Sequence, residues 1–246
     1  MPVEPKAIPL QVGDIVHKLL HMWYTNTLTA DKIEHLDTFV QELYSTNSDE
    51  QTLAVAVEAA NLFMGYYNKF GKADPLHFIS SEIHVQKEFD NYVLLAKVDA
   101  LARPSDGRLW RVEHKTTARL DSAYLSGLKG GLQGAIYDYL IETVMNEKVS
   151  GTIYNLLVKT KVPDYHRAYS AINRPAIARA LETVDGVYRD ICRGDFYPSS
   201  LCFTFNRECD YRLLCNQDTP SVREKFYKQK EEAKNGETNS KEGESS

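Results

Sequence analysis

The chain has 246 residues, 43% hydrophobic and 26% charged, with a formal net charge of -5 and an isoelectric point of about 5.8. It is long enough to bury the core of one larger domain, and no apolar run approaches the ~18 to 20 residues that span a bilayer. The acidic balance excludes binding of polyanions through overall positive charge, so phosphate recognition would need a local basic groove or a cation bridging carboxylates to phosphate.

Gln11 to Tyr24, QVGDIVHKLLHMWY, carries Ile15, Val16, Leu19, Leu20 and Trp23 at helical spacing, which predicts an amphipathic helix with His17 in its first turns. A second helix is predicted from about Ser48 to Asn68, rich in Ala and Leu and stopped near Gly71 and Pro75. The period then changes. FISSEIHVQKEF, NYVLLAKVDALA and LWRVEHKTT are β-prone runs separated by Asp90-Asn91 and by RPSDGR, which predicts a meander of antiparallel strands. A helix from about Ser122 to Met145, a strand at GTIYNLLVKT and a helix from Ala176 to about Cys192 follow. This order implies a single α/β domain over residues 1–217, with a mixed central sheet flanked by helices. Residues 218–246 read as a mixed-charge disordered tail. No charged segment followed by an apolar one opens the chain, which predicts a cytoplasmic, reducing setting in which the four cysteines are not structural disulfides.

The stretch RLWRVEHKTTARL places charges inside a β-prone run. Alternation along a strand puts Leu109, Arg111, Glu113 and Lys115 on one face and Trp110, Val112 and His114 on the other. Asp99 is the acid of the preceding strand, and a hairpin turning symmetrically about Asp106 sets it opposite Glu113. A one-residue slip would separate the two. Two carboxylates this close repel unless one is protonated or a cation lies between them. A divalent ion such as Mg²⁺ or Mn²⁺ suits hard oxygen ligands. Lys115 would then orient a water or stabilise charge on a phosphate. The alternative is a structural ion pair, Glu113 with Lys115 or Asp99 with Lys97, and spacing alone leaves both readings open.

VDALARPSDGRLWRVEHKTT followed by LQGAIYDYL resembles the PD-(D/E)XK nuclease superfamily, and specifically its RecB-like branch of CRISPR-associated and phage exonucleases. Four motifs stand in the family's order: Gly13 with His17, Asp99, Glu113 with Lys115, and Gln133 with Tyr137. The resemblance implies a restriction-endonuclease-like core and a metal-dependent DNA nuclease, an exonuclease or DNA-end-processing enzyme of recombination, repair or phage DNA metabolism. It makes His17, Asp99, Glu113 and the backbone carbonyl of His114 ligands of Mg²⁺ or Mn²⁺, and Lys115 the catalytic lysine. Gln133 and Tyr137, one helical turn apart, would grip a DNA backbone or steady the lysine. Glu82 stands where relatives often carry an acid, and an exposed strand glutamate explains it equally well.

Expected partners are DNA ends or single strands, with recombination or helicase proteins, in the cytoplasm or, for a phage protein, the host cytoplasm, and no membrane. Lys97, Arg119, Lys129, Lys159 and Lys161 are candidates to line the groove. The rival reading is a catalytically idle DNA-end-binding or scaffolding module; RNA as substrate is a third. Several relatives hold a four-iron, four-sulfur cluster, and CDYRLLC resembles the end of their cysteine motif. That makes Cys192, Cys202, Cys209 and Cys215 candidate ligands, although Asn206 stands where a further cysteine of the motif belongs. Use of the cysteines as small apolar residues stays open beside it.

Overall fold

The protein is described by a computed structural model over residues 8–45, 50–71, 73–129, 131–195, 202–204 and 207–227. Its contacts define two compact units, Lys6–Asp195 and a second formed by Met1–Pro5 with Phe196–Ser246.

In the larger unit the first apolar stripe folds as α1 (Ile8–Tyr24). Val12, Ile15, Val16, Leu19 and Leu20 are buried against α4 (Glu50–Tyr66), whose Ala56, Ala59 and Ala60 leave room for close approach. Two helices that the sequence reading passed over lie between them, α2 (Ala30–Glu34) and α3 (Leu36–Ser45). They bury Ile33, Leu36 and Val40 in the same cluster. A π-type turn, Tyr67–Gly71, extends α4.

The predicted meander forms β1 (His77–Glu88), β2 (Val93–Arg103) and β3 (Leu109–Thr117), paired antiparallel in sequence order. β4 (Val149–Val158) lies parallel to β3, and β5 (Asp164–Ala171) antiparallel to β4, giving a mixed sheet in the order β1-β2-β3-β4-β5. A parallel pair needs a crossover, here α5 (Ser122–Lys129) and α6 (Leu132–Met145). The single helix predicted across this stretch is therefore two, parted at Gly131, which caps α6 in an extended conformation. β5 was not predicted: it is an edge strand burying only Tyr165, so DYHRAYSA carries too weak an alternation to announce itself. α7 (Arg174–Arg193) packs on α6. Its Asn173 side chain accepts from Ala176 N–H, and left-handed Gly194 ends it.

The sheet is sandwiched. One face packs on α1 and α4 through Leu157 and Tyr165, and the other meets Leu140 and Ile141 of α6 through Val85, Ala96, Val98, Leu101, Leu109 and Val149. The β2–β3 register follows the expected symmetry, with Ala100 opposite Val112, Leu101 opposite Arg111 and Ala102 opposite Trp110. Val98 and Leu101 bury in the same layer, although an unbroken strand would send them to opposite faces. The alternation thus breaks at Asp99.

The second unit holds a short hairpin of β6 (Phe203–Thr204) and β7 (Arg207–Glu208), then α8 (Arg212–Asn216) and α9 (Pro220–Phe226). α9 lies where the sequence reading placed the start of a disordered tail. Its start signals are Thr219, whose hydroxyl accepts from Val222 N–H, and Pro220 in the first turn. The remainder of that tail, 228–246, lies outside the described residues. Among the described residues no helix is long and apolar enough to cross a membrane.

Candidate active site

The site forms where β2 and β3 stop pairing. Their ladder ends at Ala100 opposite Val112, and the next amide, His114 N–H, donates to the Asp99 carboxylate at 2.8 Å. A side chain thus replaces a strand as acceptor, and the sheet opens at this point. α1 approaches closely here because Gly13 has no side chain: a Cβ on it would sit 3.1 Å from Thr116 Oγ1. One turn later His17 Nε2 lies 3.1 Å from the His114 carbonyl. A carbonyl only accepts, so Nε2 carries a hydrogen, and Nδ1 is the nitrogen whose lone pair a metal could take. That nitrogen lies 3.6 Å from Asp99 Oδ1 and 3.9 Å from Glu82 Oε1.

One ligand atom each from His17, Glu82 and Asp99 lie within 4.8 Å of one another, the only such group of histidine, cysteine and acidic residues among the described residues. Burial raises the Asp99 carboxyl to about 6, against the relief of His17 and with the further push of Glu113. An imidazole lone pair and two carboxylates facing one point, one of them reluctant to ionise, fit a hard divalent cation. Glu82 reaches the point from β1 at a cost. The β1–β2 register sets Ser81 against Ala100 and Ile83 against Val98, which leaves Glu82 facing Asp99, and its backbone is left-handed with φ 53°. Such a conformation costs a non-glycine residue about 1–3 kcal/mol and clusters at functional sites. Its second oxygen pairs with Lys97.

Glu113, expected as a ligand together with His17 and Asp99, lies outside this trio, in which Glu82 stands instead, and is held by two cations. Lys115 Nζ is 2.6 Å from Oε1 and Arg111 Nη1 is 2.9 Å from Oε2. Burial alone would lower the pKa of the Lys115 ammonium, but Glu113 beside it turns the balance upward, so Lys115 is a firm cation.

Behind β3 the His114 ring is buried and held neutral, its pKa driven well below the usual histidine value by burial and by nearby His17 and Arg167. Arg167 Nε donates to Asn155 Oδ1 at 2.8 Å, which turns the amide nitrogen of Asn155 toward His114 Nδ1 at 3.2 Å. Nε2 then carries the hydrogen of His114, and that atom is buried without a partner. Arg167 is itself clamped by Asp74, both contacts at 2.6 Å, and by Tyr66 at 2.9 Å. This network fixes the residue whose amide and carbonyl touch Asp99 and His17.

The trio opens into a cleft of about 1080 Å³ lined by Gly13, His17, His21, Glu82, Lys97, Asp99, Lys115, Tyr137 and Lys159, among others. Of the basic residues expected there, Lys97 and Lys159 line it, paired with Glu82 and Glu58, while Arg119, Lys129 and Lys161 do not. Gln133 Nε2 donates to Tyr137 Oη at 3.0 Å at the cleft's edge. His21, outside the motif, contacts Ser81 Oγ at 3.1 Å, which in turn donates to the Asp99 carbonyl at 3.2 Å. The sequence reading left Glu82 undecided and did not find Arg111, Asn155 or Arg167. A buried arginine two residues before Glu113 on the same strand face was the available signal. The four cysteines are free thiols, and among the described residues no three cysteines come within common ligand reach.

No curated protein matches the chain. Among solved structures, the "Putative exonuclease" from Eubacterium rectale aligns over 94% of this chain and 79% of its own at 16% identity, with a TM-score of 0.51, a likeness of fold. SSO0001 aligns over 80% of this chain and 98% of its own at 14% identity, with a TM-score of 0.36, too low to carry an argument. The mixed sheet, its opened β2–β3 corner and the acids gathered there accord with a family model that matches residues 2–216, and the chain belongs to the PD-(D/E)XK nuclease superfamily.

Proposed function

We propose that the protein is a divalent-metal-dependent deoxyribonuclease acting at DNA ends, an exonuclease of the RecB-like branch that serves recombination, repair or phage DNA metabolism. The observation that carries this reading is the meeting of the His17 lone pair, Glu82 and Asp99 at one point of an open cleft, with Lys115 lining the same cleft. His17, Glu82, Asp99 and the His114 carbonyl would hold Mg²⁺ or Mn²⁺, and Glu113 would join through one oxygen. Such an ion supplies Lewis-acid polarisation of a phosphoryl oxygen and lowers the pKa of a water.

Lys115 is held as a cation by Glu113 beside it. It would position the attacking water and stabilise charge that develops on the phosphate oxygens. Tyr137 and Gln133 would contact the sugar-phosphate chain from the cleft wall. Contacts of this kind hold a backbone without reading bases, so cleavage should depend little on sequence. The similar fold named "Putative exonuclease" accords with action at ends.

The test is incubation of end-labelled linear and covalently closed DNA with Mg²⁺, Mn²⁺ or chelator, alongside Lys115→Ala. Linear DNA alone should be lost, only with metal, and the substitution should abolish the loss. Removing such a transition-state contact costs about 10²–10³ in rate. Undiminished cleavage by Lys115→Ala would overturn its role, cleavage of closed circles would replace exonuclease by endonuclease, and binding of ends without cleavage would favour the scaffolding module.

A further inference from the structure

The two cations on Glu113 are not alike. Lys115 is 34% exposed on a flexible stem, whereas Arg111 is 2% exposed. Arg111 is also pinned elsewhere, with Nε donating to Asp138 Oδ1 at 2.9 Å and Nη2 to Thr152 Oγ1 at 2.6 Å. On its α6 side a Cβ at Gly134 would lie 3.1 Å from Nη2, so any larger residue there would press on the guanidinium by a few tenths of an ångström. A planar guanidinium cannot lose its proton and cannot rotate while three groups hold its fork. Glu113 Oε2 is therefore occupied for as long as the core is folded. Oε1, held by the half-buried Lys115 alone, is the oxygen that can turn elsewhere.

We propose that Arg111 sets the metal preference of the site by restricting Glu113 to one available oxygen; this rests on the nuclease reading above. Ca²⁺ gathers about 6–8 oxygens and readily takes both of a carboxylate, whereas Mg²⁺ and Mn²⁺ favour six-fold sites in which a carboxylate offers one. A glutamate with one oxygen locked away suits the small ions and penalises Ca²⁺. Arg111 touches no reacting atom and acts through Glu113, so it is a positioning residue. Asp138 of α6 is the counter-charge that lets it remain buried.

The test is calorimetric titration of the full chain with Mn²⁺ and, separately, Ca²⁺. In Arg111→Met the ratio of the Ca²⁺ to the Mn²⁺ dissociation constant should fall by about tenfold or more, the scale of second-layer effects on metal sites. In Asp138→Asn, which keeps the Arg111–Glu113 contact, the ratio should hold within about twofold, a small part of that scale. An unchanged ratio in Arg111→Met with Mn²⁺ still bound overturns the role of Arg111 and leaves the nuclease reading standing; an equal shift in Asp138→Asn also overturns it, assigning the preference to the buried network at large. Wild-type protein that binds no Mn²⁺, or binding that Asp99→Asn leaves unweakened, overturns the metal site and this inference together. Because Arg111→Met strands two buried carboxylates, Arg111→Met with Asp138→Leu, which removes both sides of one pair, is measured if the single variant fails to fold.

Discussion

Asp99 concentrates the site's chemistry in one carboxyl. Its pKa is pushed up to about 6, chiefly by burial, from an ordinary 3.8. A raised carboxyl contributes stability below its unfolded pKa and loses it as the pH rises through the folded one, so the ion-free fold is worst served by this group above pH 6. That is where a cation gains most. Mn²⁺ affinity should therefore be flat above about pH 7 and fall about tenfold per unit well below 6, as protons compete for the ligand. Titration calorimetry from pH 5 to 8 measures this, and wild-type affinity that stays constant across the range would remove Asp99 from the ligand set. Glu82 offers a second residue-level prediction. Its left-handed backbone suits glycine, so Glu82→Gly should leave the melting temperature of ion-free protein unchanged or higher while weakening Mn²⁺ binding about 10- to 100-fold. A large loss of stability without loss of binding would show that the strain serves the fold and not the site.

At the scale of elements, β3 is fixed from both faces of the sheet. On one side Arg111 joins it to α6 through Asp138, and on the other Asn155 of β4 joins His114 to Tyr66 of α4 and Arg167 of β5. Asn155→Leu would leave His114 Nδ1 without a partner in the core and take one contact each from Arg167 and Tyr66, which keep Asp74 and Tyr24. It should lower unfolding stability by about 1–3 kcal/mol in chemical denaturation, the cost of one buried orphan. Mn²⁺ binding should weaken as well, because the His114 main chain that touches Asp99 and His17 loses its anchor. Full stability in that variant would show the network to be dispensable.

For the whole molecule, an ion that binds only the folded state should raise the melting temperature. Mn²⁺ at a hundred times its dissociation constant contributes about 2.7 kcal/mol. For a chain of this size that is roughly 5–10 °C. Chelator should reverse the shift, and Asp99→Asn should abolish it; a shift that survives the substitution would place the ion elsewhere. The acidic chain as a whole would repel DNA, so binding must rely on the local charge of the cleft, where Lys97, Lys115 and Lys159 stand among the acids.

Spacing and composition in the sequence were enough to locate α1, α4, the β1–β3 meander and α7, because each is long and carries a helical apolar stripe, an Ala- and Leu-rich run or a β-prone run between turn residues. Alternation also set Glu113 and Lys115 on one face, while the symmetric hairpin held only from Ala100 to Ala102, and Asp99 accepts from the His114 amide instead of pairing with Glu113. Short or edge elements were less legible: β5 buries one side chain and α2 has a single turn's worth of residues, whereas Gly130-Gly131 was a readable signal for the break before α6. The apolar spacing of Ile33, Leu36 and Val40 was a readable signal for α2 and α3. The tertiary structure alone decided which groups converge. Glu82 joins His17 and Asp99 because a left-handed residue interrupts β1 opposite a break in β2, and Arg111 reaches Glu113 and Asp138 at once because a crossover helix returns over β3. Both depend on contacts far apart in sequence, whereas pattern reading sees only neighbours within a turn or a hairpin.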